Sequence, residues 1–292
     1  MFRPAASVAF ATLVAPLAAA GHPAEPGRGE AVPRLDHVVV VIMENKTYDQ
    51  VRRLPYTARL IAGSSSFSNS YAITHPSQPN YLALWAGSTF QVGDDHCPPH
   101  GSPYASENLG HACEAAGLTW RAYSEDLPAR GSPACTSSRS RYTRKHDPWT
   151  DFSNLDHRNE VPFTQLATDL AGRRLPNLAF VIPNNCHNTH DALECPPATG
   201  DAWLAANLPP LISAAGPHGL VILTWDEDDD SDDNRILTVF AGPLVKAGYV
   251  SSRRINHYGV LCTICAALGL KPFGAARSDS AVTDAWRPSP QR

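Results

Sequence analysis

Apolar and polar positions along this chain switch between two periods, and the switch marks its elements. The run Val38–Met43, reading VVVVIM, is an unbroken apolar stretch rich in β-branched residues, which predicts a strand over 35–43 covered on both faces. Further strand patterns fall at 118–123, 177–182, 220–225 and 235–241. Helical spacing predicts helices near 79–87, 105–117, 162–173, 201–215 and 257–269. Strands alternating with helices, without an internal repeat or a linker, predict one α/β domain over 35–292. Its sheet is expected to be mostly parallel and sandwiched between helical layers.

Open α/β sheets bind ligands beyond the carboxyl ends of their strands, which makes the strand ends the place to expect chemistry. The first strand runs into Glu44-Asn45. The 177–182 strand runs into PNNCHNTHD, with His187, His190 and Asp191, and the 220–225 strand runs into Asp226-Glu227. A parallel sheet brings all three to one edge. Carboxylates at a half-buried edge need a counter-charge, either a metal ion or a protonated partner. Glu44, Asn45, Asp226 and Glu227 offer hard oxygen ligands, which suit one Mg²⁺, Ca²⁺ or Mn²⁺ better than a thiolate-type zinc site, with a softer metal left open by the nearby histidines. Asp228 to Asp233 read as a solvated acidic loop. It is no EF-hand, because the sixth position counted from Asp226 is Ser231 and the twelfth is Leu237. In THPSQPNYLALWAGS, Ser77 stands just before Pro79 and the predicted helix. It is either a nucleophile at an anion-binding helix start or a plain helix cap. His75 reads as a local hydrogen-bonding residue and His257 as a helix-start residue.

Composition then narrows the class. With 292 residues, 43% hydrophobic and 18% charged, most of the chain must fold. Net charge is −4 while seven acids sit between Asp226 and Asp233, so the acidity is local and the remainder slightly positive. A basic run with Arg139, Arg141, Arg144 and Lys145 is a weak attractor for an anionic substrate, and the near-balanced charge argues against a nucleic-acid partner. Segment 1–20 carries Arg3, an Ala-rich apolar stretch too short to span a bilayer, and small residues at Ala18 and Ala20. It predicts a cleaved signal peptide, followed by a Pro/Gly-rich leader over 21–34. The expectation is a secreted protein, extracellular or periplasmic, without stable membrane insertion. Export permits disulfides: Cys186 and Cys195 bracket a short loop, and Cys97 with Cys135 is the second expected pair. Cys113, Cys262 and Cys265 fall in apolar helical patterns and read as packing residues.

VVVIMENKTYDQV, THPSQPNYLALWAGST, YSEDLP, RKHDPW, FVIP followed by THD, GDAWL, TWDEDD and INHYGVL, over roughly residues 35–270, together resemble one family. It is the phosphoesterases that unite non-haemolytic phospholipases C with secreted acid phosphatases, within the alkaline-phosphatase-like superfamily. The chain is most similar to the compact secreted acid phosphatases, including those that act on phosphatidylinositol 3-phosphate, and shows no long C-terminal extension of the phospholipase kind. The resemblance implies a metal-dependent phosphomonoesterase with an alkaline-phosphatase-like fold. It makes Ser77 the nucleophile, its oxygen completing a metal shell of Glu44, Asn45, Asp226 and Glu227. His146 and His190 are implied to contact phosphate or protonate the leaving group, and Asn45, Lys145 and His187 to bind substrate. The implied substrates are phosphorylated small molecules or phosphoinositide headgroups. One departure stands out: many relatives carry an aspartate where this chain has the neutral Asn188. A phospholipase C-like phosphodiesterase would use the same residues. A non-enzymatic calcium-binding protein would explain the acids but not Ser77, His146 and His190 together.

Overall fold

The computed structural model describes residues 1–2, 31–137, 141–190 and 195–288. All but the first two residues of the predicted signal peptide, most of the leader, Arg139 and Asp191 lie outside the described residues. Nine strands are described: β1 His37–Met43, β2 Ser65–Tyr71, β3 Trp120–Ser124, β4 Glu160–Pro162, β5 Leu178–Ile182, β6 Gly219–Trp225, β7 Arg235–Ala241, β8 Tyr249–Ser251 and β9 Ile255–Asn256. The helices are α1 Tyr48–Val51, α2 Pro55–Gly63, α3 Ser77–Ala86, α4 Leu109–Ala115, α5 Thr164–Ala171, α6 Pro197–Ala215 and α7 His257–Leu268. No described helix is long and apolar enough to cross a membrane.

The strands form one sheet in the order β4-β3-β5-β1-β6-β7-β2-β8, with β9 also pairing β2. From β4 to β6 every pairing is parallel; β7 runs antiparallel to both β6 and β2, and β8 and β9 are parallel to β2. Only β7 therefore opposes the common direction, which confirms the mostly parallel α/β sheet. The carboxyl ends of β1, β2, β3, β5, β6 and β9 share one edge.

Why β1 reads as a continuous apolar run is visible in its two faces. Val38, Val40 and Ile42 pack with α3, α4 and α7, whereas Val39, Val41 and Met43 pack with α2, α5 and α6. A strand buried on both sides has no solvated face on which to alternate. Polar β2, SSFSNSY, gave no such signal in the sequence. Its serines are accommodated by hydrogen bonds: Ser65 donates to the Lys246 and Ala285 carbonyls at 2.8 and 3.0 Å, and Ser70 meets the Thr238 hydroxyl at 2.8 Å. Helix α1 carried a readable capping box, since Thr47 and Gln50 bond each other's backbone N–H reciprocally.

Both expected disulfides, Cys97–Cys135 and Cys186–Cys195, are formed, and Cys113, Cys262 and Cys265 are buried free thiols. Helix α6 begins at Pro197, four residues before the predicted start. Its Gly200 admits the loop after β5 so closely that a Cβ would meet Thr189 at 2.4 Å. Asp201, on the same turn, caps α2 from across the sheet face. Its carboxylate accepts from the Tyr56 and Thr57 backbone N–H at 2.8 and 2.9 Å and from the Thr57 hydroxyl at 2.8 Å. Removing it strands these donors, so Asp201→Ala should lower unfolding free energy by about 2 kcal/mol in urea titrations. Asp201→Asn, which keeps one acceptor oxygen, should lose less; equal losses for the two variants would reject the capping role.

Candidate active site

The acids of the site arrive by the ends of β1 and β6, whereas Lys145 and His146 come from a single 3-10 turn, Arg144–His146. Glu44 follows β1 directly, and the loop after β5 laces it in place. Its N–H donates to the Asn188 carbonyl at 2.7 Å, and its carbonyl accepts from the Thr189 hydroxyl at 2.7 Å. Asn45 turns the chain with φ 45°, and its N–H reaches Asp226 Oδ1 at 3.3 Å. Asp226 and Glu227 leave β6, the strand paired with β1, which accounts for the two acidic strand ends lying side by side. From beyond β2, the segment Ile73–Pro76 is clamped by Asn80. The Asn80 amide accepts from Ile73 and Thr74 N–H at 2.9 and 3.1 Å and donates to the Thr74 and Pro76 carbonyls at 2.7 and 3.1 Å.

That clamp delivers Ser77 as the first residue of α3, with Pro76 at the cap position and no side-chain cap. The plain helix-cap alternative is therefore overturned. Ser77 Oγ is buried and lies 3.1 Å from Glu44 Oε2 and 2.9 Å from Glu227 Oε1. The first-turn amide of Gln78 is taken by Asp95 Oδ1 at 3.0 Å, and Asp95 Oδ2 holds Lys145 Nζ at 2.7 Å. Pro79 falls within the first helical turn, where backbone N–H groups have no intrahelical partner, so it does not mark the helix start that the sequence suggested. With the start moved to Ser77, Tyr81 stands four residues on, along the same face. Its hydroxyl donates to Glu44 Oε1, and its ring stacks on His146 with centroids 5.1 Å apart.

The structure thus brings Glu44, Asn45, Ser77, Asp226 and Glu227 into one hydrogen-bonded cluster, with the Asn45 amide donating to Glu227 Oε1 at 3.0 Å. Buried His146 sets Nε2 3.1 Å from Glu44 Oε1, and its ring lies 6.1 Å from that of His190. A cleft of about 370 Å³ beside the cluster is lined by Lys145, His190, Asp95, Lys46 and the Asp228–Asp230 backbone turn among others. His187 is not brought into the cluster; its ring Nδ1 binds Glu125 at 2.8 Å and its N–H goes to Asn184. Arg144 is likewise removed from the expected anion attractor, being buried in an ion pair with Asp151 at 2.6 Å. Asn188 does the loop's work without a charge: its Oδ1 accepts the His190 N–H at 2.9 Å.

Three residues were undervalued in the sequence. His75 Nδ1 binds Glu227 Oε2 at 2.6 Å. His257 opens α7 as expected, and also braces the site, its Nε2 donating to the Asp226 carbonyl at 2.6 Å. Asp228 is buried rather than solvated, and its carboxylate accepts the N–H groups of Asp230, Asp232 and Asn234 at 2.8, 2.8 and 3.1 Å. Only its chain position, between a metal-type pair and exposed acids, could have hinted at this.

Electrostatics follow from three carboxylates sharing one buried space. Burial works to raise Glu44, but His146, Lys145 and His190 overcome it and hold it down at about 2. Burial, then the charges of Glu44 and Glu227, push Asp226 well above the usual carboxylate range, and burial carries Glu227 up to about 7. Asp226 Oδ2 and Asn45 Oδ1 are buried without a hydrogen-bond partner. Among the described residues no three Asp, Glu, His or Cys side chains close on one point in finished metal geometry; the carboxylates close on the Ser77 hydroxyl instead. The two orphaned oxygens and the shared negative charge nevertheless fit a hard divalent cation, whose remaining ligands would be Glu44, Glu227 and Ser77 Oγ.

Comparison with known proteins adds to this geometry. Residues 50–271 match the model of the Phosphoesterase family, a range beginning just after Glu44 and Asn45. The chain is 39% identical over 260 residues to a phosphatidylinositol-3-phosphatase of Mycobacterium tuberculosis, covering 88% of this chain and 84% of that protein. An acid phosphatase of Aspergillus fumigatus is 28% identical over 250 residues, 80% of this chain and 55% of the longer fungal protein. Among solved structures, a protein of the alkaline phosphatase superfamily from Vibrio parahaemolyticus superposes with a TM-score of 0.61 at 11% identity, covering 85% of this chain and 71% of that one. A phosphonate monoester hydrolase from Silicibacter pomeroyi gives 0.54 at 12%, covering 88% and 78%. These two likenesses establish the fold.

In protein freed of divalent ions by chelation, folding raises the proton affinity of Asp226 and Glu227. The folded state then binds more protons than the unfolded chain between the ordinary carboxylate pKa and about 7, so stability falls as pH rises through that window. Differential scanning calorimetry of chelated protein should show the melting temperature dropping on the order of 5 °C between pH 5 and pH 7.5. Glu227→Gln should flatten the drop. A slope unchanged in the variant would reject the assignment.

Proposed function

The chain belongs to the Phosphoesterase family, and on that footing we propose that it is a secreted, metal-dependent phosphomonoesterase that works through a phosphoserine on Ser77. As a phosphoester hydrolase it needs a nucleophile, a proton donor and a place for phosphate. The observation that carries the reading is the placement of Ser77 Oγ. It caps nothing, it touches Glu44 and Glu227, and it lies beside a cleft that presents Lys145 and His190.

Glu44, Asn45, Asp226 and Glu227, with Ser77 Oγ, are the residues that would hold one divalent cation, Mg²⁺, Ca²⁺ or Mn²⁺ by donor hardness. Bound there, such a cation supplies positive charge that lowers the Ser77 pKa and offsets the charge of the phosphate oxygens. Ser77 Oγ attacks phosphorus in line, its proton passing to Glu44 Oε2 or Glu227 Oε1, while the bond from phosphorus to the leaving alcohol breaks. His190 gives its proton to the departing oxygen, for it lines the cleft, whereas His146 is engaged with Glu44 behind it. Water then attacks the phosphoserine, returning a proton to His190; the P–Oγ bond breaks, Ser77 recovers its hydrogen, and phosphate leaves. Lys145, steadied by Asp95, faces the phosphate oxygens. Burial, with Lys145 and His146, lowers the His190 pKa, so the imidazolium needed as donor is filled on the acid side of neutrality. This supports activity in mild acid.

The two disulfides support an oxidising, exported setting. Phosphoinositide monoesters are the preferred substrates proposed, supported by the 39% identity to a phosphatidylinositol-3-phosphatase. A phosphodiesterase would use the same groups, so p-nitrophenyl phosphate and its bis ester are compared first; faster cleavage of the bis ester would move the enzyme to the diesterase side.

Ser77→Ala should lower kcat by about three orders of magnitude or more, since the covalent route disappears and only positioning of water remains. Acid quenching of wild-type turnover with labelled monoester should trap phosphate on the Ser77 peptide. Near-normal turnover by the variant would leave a water-attack mechanism instead.

Where the resemblance implies an aspartate this chain has Asn188, and its accepting oxygen, not a charge, fixes the His190 backbone. Asn188→Asp should therefore retain kcat within a few-fold, while Asn188→Ala should lose on the order of tenfold or more. The reverse order in steady-state assays would show that the missing charge matters.

A further inference from the structure

A second cleft of about 370 Å³ adjoins the one beside Ser77, and His75 and Asp230 line both. Its other walls are Tyr71, Ala72, Ile73, Asp233, Asn234 and Arg254. We propose that this cleft is the leaving-group subsite, and that it selects a polyol monophosphate carrying a second phosphate ester, with Arg254 binding that second phosphate. The proposal rests on the phosphomonoesterase reading above and specifies which alcohol that site releases.

Three observations converge on it. First, connectivity: His75 and Asp230 line both clefts, so a group whose monophosphate lies against Lys145 and His190 can extend past His75 into the neighbouring one. Second, the lining is polar and of mixed charge. Asp230 and Asp233 are exposed carboxylates able to accept hydrogen bonds from ring hydroxyls, and Asp230 also meets His75 Nε2 at 3.3 Å. Arg254 is exposed, and among the described residues no carboxylate pairs with it; it is held instead by stacking on the Tyr71 ring, 3.9 Å from the centroid. A guanidinium pinned by its face keeps its edge donors free for a phosphate. Third, the walls are fixed beforehand. Pairing of β9 with the end of β2 sets Arg254, the residue before β9, over Tyr71, and buried Asp228 ties down the turn bearing Asp230 and Asp233. A prearranged wall loses little freedom when a ligand binds.

The same headgroup chemistry occurs free in solution and at the end of a lipid, and substrates separate the two. The wild-type holoenzyme is assayed with p-nitrophenyl phosphate, inositol 3-phosphate, inositol 1,3-bisphosphate and short-chain phosphatidylinositol 3-phosphate below its critical micelle concentration. We expect kcat/KM for the bisphosphate and the lipid to exceed that for inositol 3-phosphate at least tenfold. Arg254→Ala should erase that preference, mainly through KM, and Arg254→Lys should restore part of it. Each value is taken as a ratio to p-nitrophenyl phosphate for the same variant, which removes any general loss of fold. If the bisphosphate gains as much as the lipid, the second phosphate alone is recognised. If only the lipid gains and Arg254→Ala erases it, the subsite serves the lipid diester. Either result supports the subsite. Ratios unchanged by Arg254→Ala would overturn it, as would a wild type that cleaves p-nitrophenyl phosphate but shows no preference among the inositol phosphates; both leave the phosphatase intact. A wild type that cleaves none of the four overturns the phosphomonoesterase reading and the subsite with it.

Discussion

Three carboxylates buried within reach of one serine hydroxyl dominate this molecule. Glu44, Asp226 and Glu227 cannot all be ionised there without compensation, and the surrounding groups are arranged around that demand. His146 and Lys145 favour the charge on Glu44, while Asp226 and Glu227 are driven toward the neutral form. The backbone is recruited too. Glu44 is fastened on both sides by the loop after β5, Asp226 is braced through its carbonyl by His257, and Asn45 bridges the two acids through its N–H and its amide. A site that holds repelling groups so firmly is preorganised to receive compensating positive charge, from protons or from a bound ion.

The sheet supplies the stiffness. β1 and β6 are adjacent and parallel, and are buried from Val38 to Met43 and from Gly219 to Trp225, so their ends cannot drift apart to relieve the repulsion. The loops that complete the site have less regular structure, and covalent and ionic ties compensate. Cys97–Cys135 joins the segment bearing Asp95 to the one leading to Lys145 and His146, and Asp95 and Lys145 then meet as an ion pair. Cys186–Cys195 does the same for the loop that carries His190. Each disulfide thus limits the distance between two stretches that contribute to the cleft lined by Lys145 and His190.

How much of this was legible in the sequence depends on which force places each residue. The buried strands announced themselves, because burial on both faces demands uninterrupted apolar residues, and the acidic strand ends followed from the parallel order. β2 was silent, since its serines are buried through hydrogen bonds rather than through hydrophobic contact. Ser77 was singled out, but its setting at the first position of α3 was misread. The proline at position 79 looked like a helix start, which hid the i, i+4 relation to Tyr81 and left a capping role open that Pro76 actually forecloses. His187 was drawn in by its neighbours in sequence, whereas Glu125, arriving from the end of β3, takes its ring away. Such a partner, 62 residues distant, leaves no local trace.

The acidic run that follows β6 shows how one stretch can divide its charge by depth. Asp226 and Glu227 emerge while the chain is still between the helical layers, so they are buried beside Ser77 and need a proton or another counter-charge. One residue later Asp228 is also buried, yet it needs none, because three backbone N–H groups of its own loop surround it. That internal cap forces Asp230, Asp233 and Asn234 into left-handed backbone, with φ of 63°, 53° and 60°. The reversal turns the remaining acids outward along the rim of the clefts, where Asp230 meets His75 Nε2 at 3.3 Å. Asp228 therefore separates a buried acid cluster from an exposed rim within four residues, and the same carboxylate that closes one environment shapes the wall of the next.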